Sequence, residues 1–107
     1  MKLTEFKALL ESACENVFYF ESKETPPPRI VYVETGRKYE RYDGLVGHKW
    51  WVVDVHFFTD KDFDPIVERL EDLFSDNGVP FHMADIQHGR DSEGRGGLNY
   101  YRFVCEV

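Results

Sequence analysis

The chain has no excess of positive charge. Thirteen Lys and Arg stand against 20 Asp and Glu in 107 residues, for a formal charge of −7. Binding to duplex phosphates or to an anionic membrane surface relies on clustered cations, so neither is expected. Cysteine is scarce: Cys14 and Cys105 are the two, and neither sits in a CxxC pair. They allow one disulfide, but reduced, half-buried thiols are the expectation for a cytosolic chain. An 18-residue apolar run is missing, so no helical span of a bilayer is expected. The opening MKLTEFKALLESAC carries Glu5 and Glu11 where a signal peptide needs an unbroken apolar centre. The phosphate-cradling patterns GxxxxGK[ST] and GxGxxG are absent as well.

What the chain does have is aromatic side chains, nine Phe, six Tyr and two Trp, and one long strand signal. Residues 48–58 read HKWWVVDVHFF. Lys49, Trp51, Val53, Val55 and Phe57 share one pleat face, and Trp50, Val52, Asp54, His56 and Phe58 share the other. Both faces are largely apolar, so both need cover. Residues 59–77, TDKDFDPIVERLEDLFSDN, follow at once with a single apolar stripe of Phe63, Ile66, Val67, Leu70, Leu73 and Phe74. One helix of this kind closes one face. The other face must be closed by a second helix or by another copy of the chain.

The remaining elements follow from spacing and turn chemistry. Residues 3–15 predict a helix capped by Thr4, with Phe6, Leu9, Leu10, Ala13 and Cys14 on one stripe. Residues 17–20 predict a short strand. Pro26, Pro27 and Pro28 lack amide donors and mark residues 21–29 as a stiff connection. Strands are expected at 30–35 and 38–42, with Gly36 at a turn or bulge between them. Asp43-Gly44 and Gly47 frame the next turn. The helix after the central strand starts either from a Thr59/Asp62 capping box or from Asp64 with Pro65 in the first helical position. A weaker strand at 81–87, a flexible glycine-rich loop at 88–97 and a final strand at 98–107 complete the chain. The expected fold is a single α+β domain over residues 1–107. It has two layers, a mixed, mostly antiparallel sheet of four to five strands flanked by two helices.

No catalytic, cofactor or metal set emerges from the spacing. The four histidines, His48, His56, His82 and His88, do not show ligand spacing, although a cross-strand pairing of His56 with His82 is open. Asp54 interrupts an apolar strand and needs a partner; His56, Arg102 or a group on another subunit would serve. Arg90 and Arg95 in the 88–97 loop have the charge to meet a phosphate, offset by Asp91 and Glu93. A segment ordered by a neighbouring subunit suits that loop better. The candidate interface residues are Trp50, Val52, Asp54, Tyr100 and Arg102, with Pro26, Pro27, Pro28, Arg90 and Arg95 in the loops. Trp and Tyr are favoured at interfaces because they carry large area at low entropic cost.

The order of segments resembles the small tail-terminator, or head–tail joining, proteins of long-tailed phages and prophages. The likeness runs from the first amphipathic helix and VFYF through PPPRIVYVE, YDGLVG, WWVVDVHFFTDKD, PIVERLEDLF and NGVPFHMADIQH to NYYRFVCEV. Its most telling part is a long strand ending in an aromatic-Thr-Asp/Lys run, followed by a helix that ends in NGVPF. The resemblance implies a mixed sheet with two helices and a hexameric ring without cofactor or chemistry. The ring would cap the tail tube, end its growth and receive head-completion proteins, while DNA passes through without specific binding. The partners would be other copies of the chain, a hexamer in the assembled virion with a monomer in isolation left open, the tail tube protein and a head-completion protein. The location would be the host bacterial cytoplasm and then the virion neck, or the cytoplasm for a prophage copy. The alternatives are an acidic protein-binding or inhibitor module, a related tail or head-completion component, and a small enzyme with His56, His82 and Asp54 converging in a pocket.

Overall fold

The computed structural model describes residues 1–21, 25–90 and 96–107. The elements are α1 (Leu3–Glu11), β1 (Val17–Tyr19), β2 (Arg29–Tyr42), β3 (Leu45–Thr59), α2 (Pro65–Asp76), β4 (Phe81–Arg90) and β5 (Gly96–Glu106). The five strands form one sheet in the order β1-β2-β3-β5-β4. β1 and β2 are parallel and the other pairs antiparallel. The expected α+β class holds, and β3 lies in the middle of the sheet.

Alternation along β3 sorts the layers. Val53, Val55 and Phe57 are fully buried, whereas Asp54, His56 and Phe58 between them are half-buried. Both helices lie on the Val53 face. Phe6 and Leu10 of α1 and Leu70 and Phe74 of α2 join one core with Val55, Phe57, Phe103 and Cys105. The Phe6 and Phe74 rings stack at 5.8 Å, and Phe74 also meets Phe81 at 5.3 Å and Phe103 at 5.6 Å. Each fully buried Phe contributes about 1.5–3 kcal/mol of transfer free energy, so this face holds the fold together. Among the described residues no helix covers the other face.

Several boundaries differ from the sequence expectation. α1 starts from Lys2, with Thr4 inside the helix rather than capping it. It stops at Glu11 because the Ser12 hydroxyl donates to Leu9 O at 2.6 Å and competes with the helical ladder. Cys14 still reaches the core from the turn that follows. α2 takes the later of its two starts. Asp64 Oδ1 accepts from the Ile66 amide at 2.9 Å, with Pro65 next in line. That choice leaves Phe63 outside the helix. Phe63 was expected in the buried stripe; it is 97% exposed, with φ of 54°.

Strands are longer than expected. β2 runs unbroken through Gly36, where the register against β3 shifts in a bulge. Asp43 and Gly44, at φ of 49° and 80°, make the two-residue turn that suits a twisted hairpin. Gly47 is a strand residue instead of part of the turn; a Cβ there would stand 2.8 Å from the Tyr42 ring. The ladder between β3 and β5 begins only at Val52. The hairpin of residues 36–51 therefore leaves the body as a two-stranded arm, and the molecule measures 60 × 25 × 24 Å. At the opposite end, the described flanks of the expected 88–97 loop are strand. β4 and β5 pair as far as Arg90 and Gly96. Gly89 and Gly97 permit this because each backbone approaches the other strand; an added Cβ would meet Leu98 O at 2.9 Å or Gly89 O at 2.8 Å. Residues 91–95 lie outside the described part.

Candidate interface on the open sheet face

The uncovered face of the sheet gathers four of the expected residues. Val52, Asp54, Tyr100 and Arg102 share it with Val31, Val33, His56, Phe58 and Val104, as strand parity and register require. Val31 is nearly buried and the rest are half-buried, packed against one another rather than beneath a second layer. The Asp54 carboxylate finds the Arg102 guanidinium, Nη1 to Oδ2 at 3.4 Å. Of the two partners open to Asp54 within the chain, His56 and Arg102, the salt bridge goes to Arg102. The pair is partly exposed, so screening limits its value to about 0–1 kcal/mol.

Next to this pair, His56 Nδ1 and Tyr100 Oη stand 2.5 Å apart. Their rings are stacked at 5.7 Å, and Phe58 meets Tyr100 at 5.1 Å. Burial holds the His56 imidazole below its ordinary pKa; the Asp54 charge works against that shift and Arg102 adds to it. Burial also pushes the Tyr100 phenol up, with Arg102 opposing and Asp85 and Asp54 reinforcing. The Arg29 guanidinium lies 4.7 Å from the centre of the Phe58 ring. Together these side chains make a half-buried, aromatic stretch carrying one ion pair. A shallow cleft of about 550 Å³ lies over it, lined by His56, Phe58, Asp85, Gln87, Leu98, Tyr100 and Arg102.

A second cleft, of about 180 Å³, lies further along the same face between Val52, His82, Val104 and Glu106. Val52 and Tyr100 therefore belong to one face but not one spot, with six residues of strand, roughly 20 Å, between their positions. His56 and His82 line different clefts. Among the described residues no group of three or more His, Cys, Asp or Glu side chains is placed to hold a metal ion.

The other expected sites are scattered. Trp50 sits at the root of the arm, half-buried, its ring 4.6 Å from His48. Pro26, Pro27 and Pro28 lie at the far end of the sheet, where Pro28 O accepts from Asn16 Nδ2 at 3.3 Å. That contact ties the proline segment to the connection between α1 and β1. The backbone of Arg90 pairs with Gly96; Arg95 falls outside the described residues. Cys14 and Cys105 are both buried and free, and burial raises both thiol pKa values. Among the described residues no helix is long and apolar enough to cross a membrane.

The sequence reasoning missed two features. One is the arm, whose exposed residues do not alternate in polarity. The other is the junction of β3 and α2, TDKDFD. Thr59 Oγ1 donates to Asp64 Oδ2 at 2.6 Å, and Asn99 Nδ2 donates to Lys61 O at 3.0 Å. Thr59 and Asn99 are buried, so the junction is pinned while Phe63 points outward. The signal was present: a Phe directly before an Asp-Pro helix start falls outside the helix.

No protein-family model matches the chain, and no curated protein matches it.

Proposed function

We propose that the chain is a structural subunit of a ring at the head–tail junction of a long-tailed phage or prophage. The ring caps the tail tube, ends its polymerisation and receives the head. The observation that carries this reading is the uncovered face of the central strand. Val33, Val52, Phe58, Tyr100 and Val104 present an apolar and aromatic surface, and both helices lie on the other side. A sheet half-covered by its own helices is suited to burial between copies. The segment order that resembles tail-terminator proteins supplies the biological setting. In that setting the ring's partners are the tail tube protein and a head-completion protein, and DNA passes through without specific contacts. The protein works in the host bacterial cytoplasm during assembly and then in the virion neck.

Light scattering of the parent beside Trp50→Ala and Val52→Lys tests the reading. The parent is expected to form a species larger than a dimer, and both variants to form less of it. Equal assembly in all three would remove this face from the interface.

A further inference from the structure

We propose that the arm of residues 36–51 is a docking arm that grips the acidic flank of a second copy of this chain, beside the exposed Phe63. This rests on the ring reading above and specifies how neighbours hold each other. The arm is the least self-sufficient part of the molecule. A two-stranded hairpin is marginally stable in water without a surface to pack on. Tyr39, Tyr42 and Leu45 on it are 54%, 60% and 74% exposed.

Its charge identifies the partner. The arm holds Arg37, Lys38, Arg41 and Lys49 against only Glu40 and Asp43, a net +2 in a chain of −7. Lys38 is bound to Glu106 of the body. The other three cations gather with aromatic rings. Arg37, Tyr39, Lys49 and Trp51 share one pleat face. The Arg37 guanidinium lies 3.8 Å from the Trp51 ring centre, and that of Arg41 5.7 Å from Tyr39. Trp51 packs against the core at the root, and the exposed Tyr39, Arg41 and Lys49 beyond it fit an acidic surface with an aromatic anchor.

The chain carries that surface at its other end. Glu68 and Asp72 line the wet side of α2, and Asp60 lies just before it. Phe63 lines a cleft there with Glu68 and Glu71 and is almost fully exposed, at a backbone φ that an aromatic residue seldom adopts. The junction is held there by Thr59 and Asn99, so the exposure is built in. Arm and anchor are different patches, so their pairing is head-to-tail, the type of contact that closes into rings.

Sedimentation velocity over a concentration series at low salt tests the arm. The parent is expected to associate beyond a dimer. Arg41→Glu/Lys49→Glu is expected to associate at least tenfold more weakly, and adding Glu68→Lys/Asp72→Lys to restore association. Phe63→Gly is expected to associate less while melting no lower than the parent, since glycine accepts that φ. Parent-like assembly by the reversed arm, or by Phe63→Gly, overturns the docking proposal and leaves the ring standing. A parent that stops at a dimer, with the charge swap still effective, overturns the ring and leaves the arm contact. A parent that stays monomeric at every concentration overturns the arm proposal. Titration with a single-stranded oligonucleotide closes the remaining route: tryptophan quenching in the parent but not in Arg41→Glu/Lys49→Glu assigns the arm to nucleic acid and overturns it too.

Discussion

Replacing Asp64 with Ala should weaken the fold more than loss of an ordinary surface carboxylate. Asp64 is 4% exposed and uses both oxygens, Oδ1 on the Ile66 amide at 2.9 Å and Oδ2 on the Thr59 hydroxyl at 2.6 Å. The lost cap costs about 1 kcal/mol. The Thr59 hydroxyl, fully buried, is left with an unused donor, at about 1–2 kcal/mol more. The sum is about 2–3 kcal/mol, a large part of the ~5–15 kcal/mol that holds a domain folded. Urea unfolding measures it as a fall in midpoint at unchanged slope. The double variant Thr59→Ala/Asp64→Ala separates the two parts. It removes the orphan, so its loss should fall short of the summed single losses by about 1 kcal/mol. An Asp64→Ala loss below about 0.5 kcal/mol, or strict additivity in the double variant, would refute the assignment of both bonds.

Three further outcomes follow from the same geometry. Gly97→Ala places a Cβ 2.8 Å from Gly89 O and should cost about 1–3 kcal/mol by urea unfolding; a neutral effect would show that the hairpin can shift aside. Cys14 and Cys105 should resist a thiol reagent in the native protein and react only as it unfolds, because burial both hides them and raises their pKa; rapid native labelling would contradict the packing of the core. His56 titrates below its ordinary value of 6.5 because it is desolvated. The unfolded chain therefore takes up the proton first, and the stability gained from the neutral ring is complete above about pH 6.5. That stability is lost as pH falls from there through the folded pKa. The parent should lose stability over this window more steeply than His56→Gln, and parallel curves would contradict it.

The central strand was legible because burial imposes a period of two. Trp51, Val53, Val55 and Phe57 alternate with residues of the open face, and no turn residue interrupts them. α2 was legible in its stripe but not in its start, where two caps competed; the buried Thr59–Asp64 contact settled that competition and turned Phe63 outward. The 88–97 segment misled because glycine marks close strand approach as readily as a loop. The arm was hidden because only its root is packed against the body, through Trp51 and Lys38, so the rest of its sequence lacks the alternation that burial writes. At the candidate interface, pleat parity gave the shared face of Val52, Asp54, Tyr100 and Arg102. It left open the Arg102 contact with Asp54 and the stack of His56 on Tyr100, which depend on the register between β3 and β5.

The most direct test is the native mass spectrum of the concentrated protein at low salt. The account predicts a closed oligomer at a multiple of 12.6 kDa, with six copies as the expected ring. A lone monomer or a compact two-fold dimer, unchanged when Val52 is replaced by Lys, would contradict it.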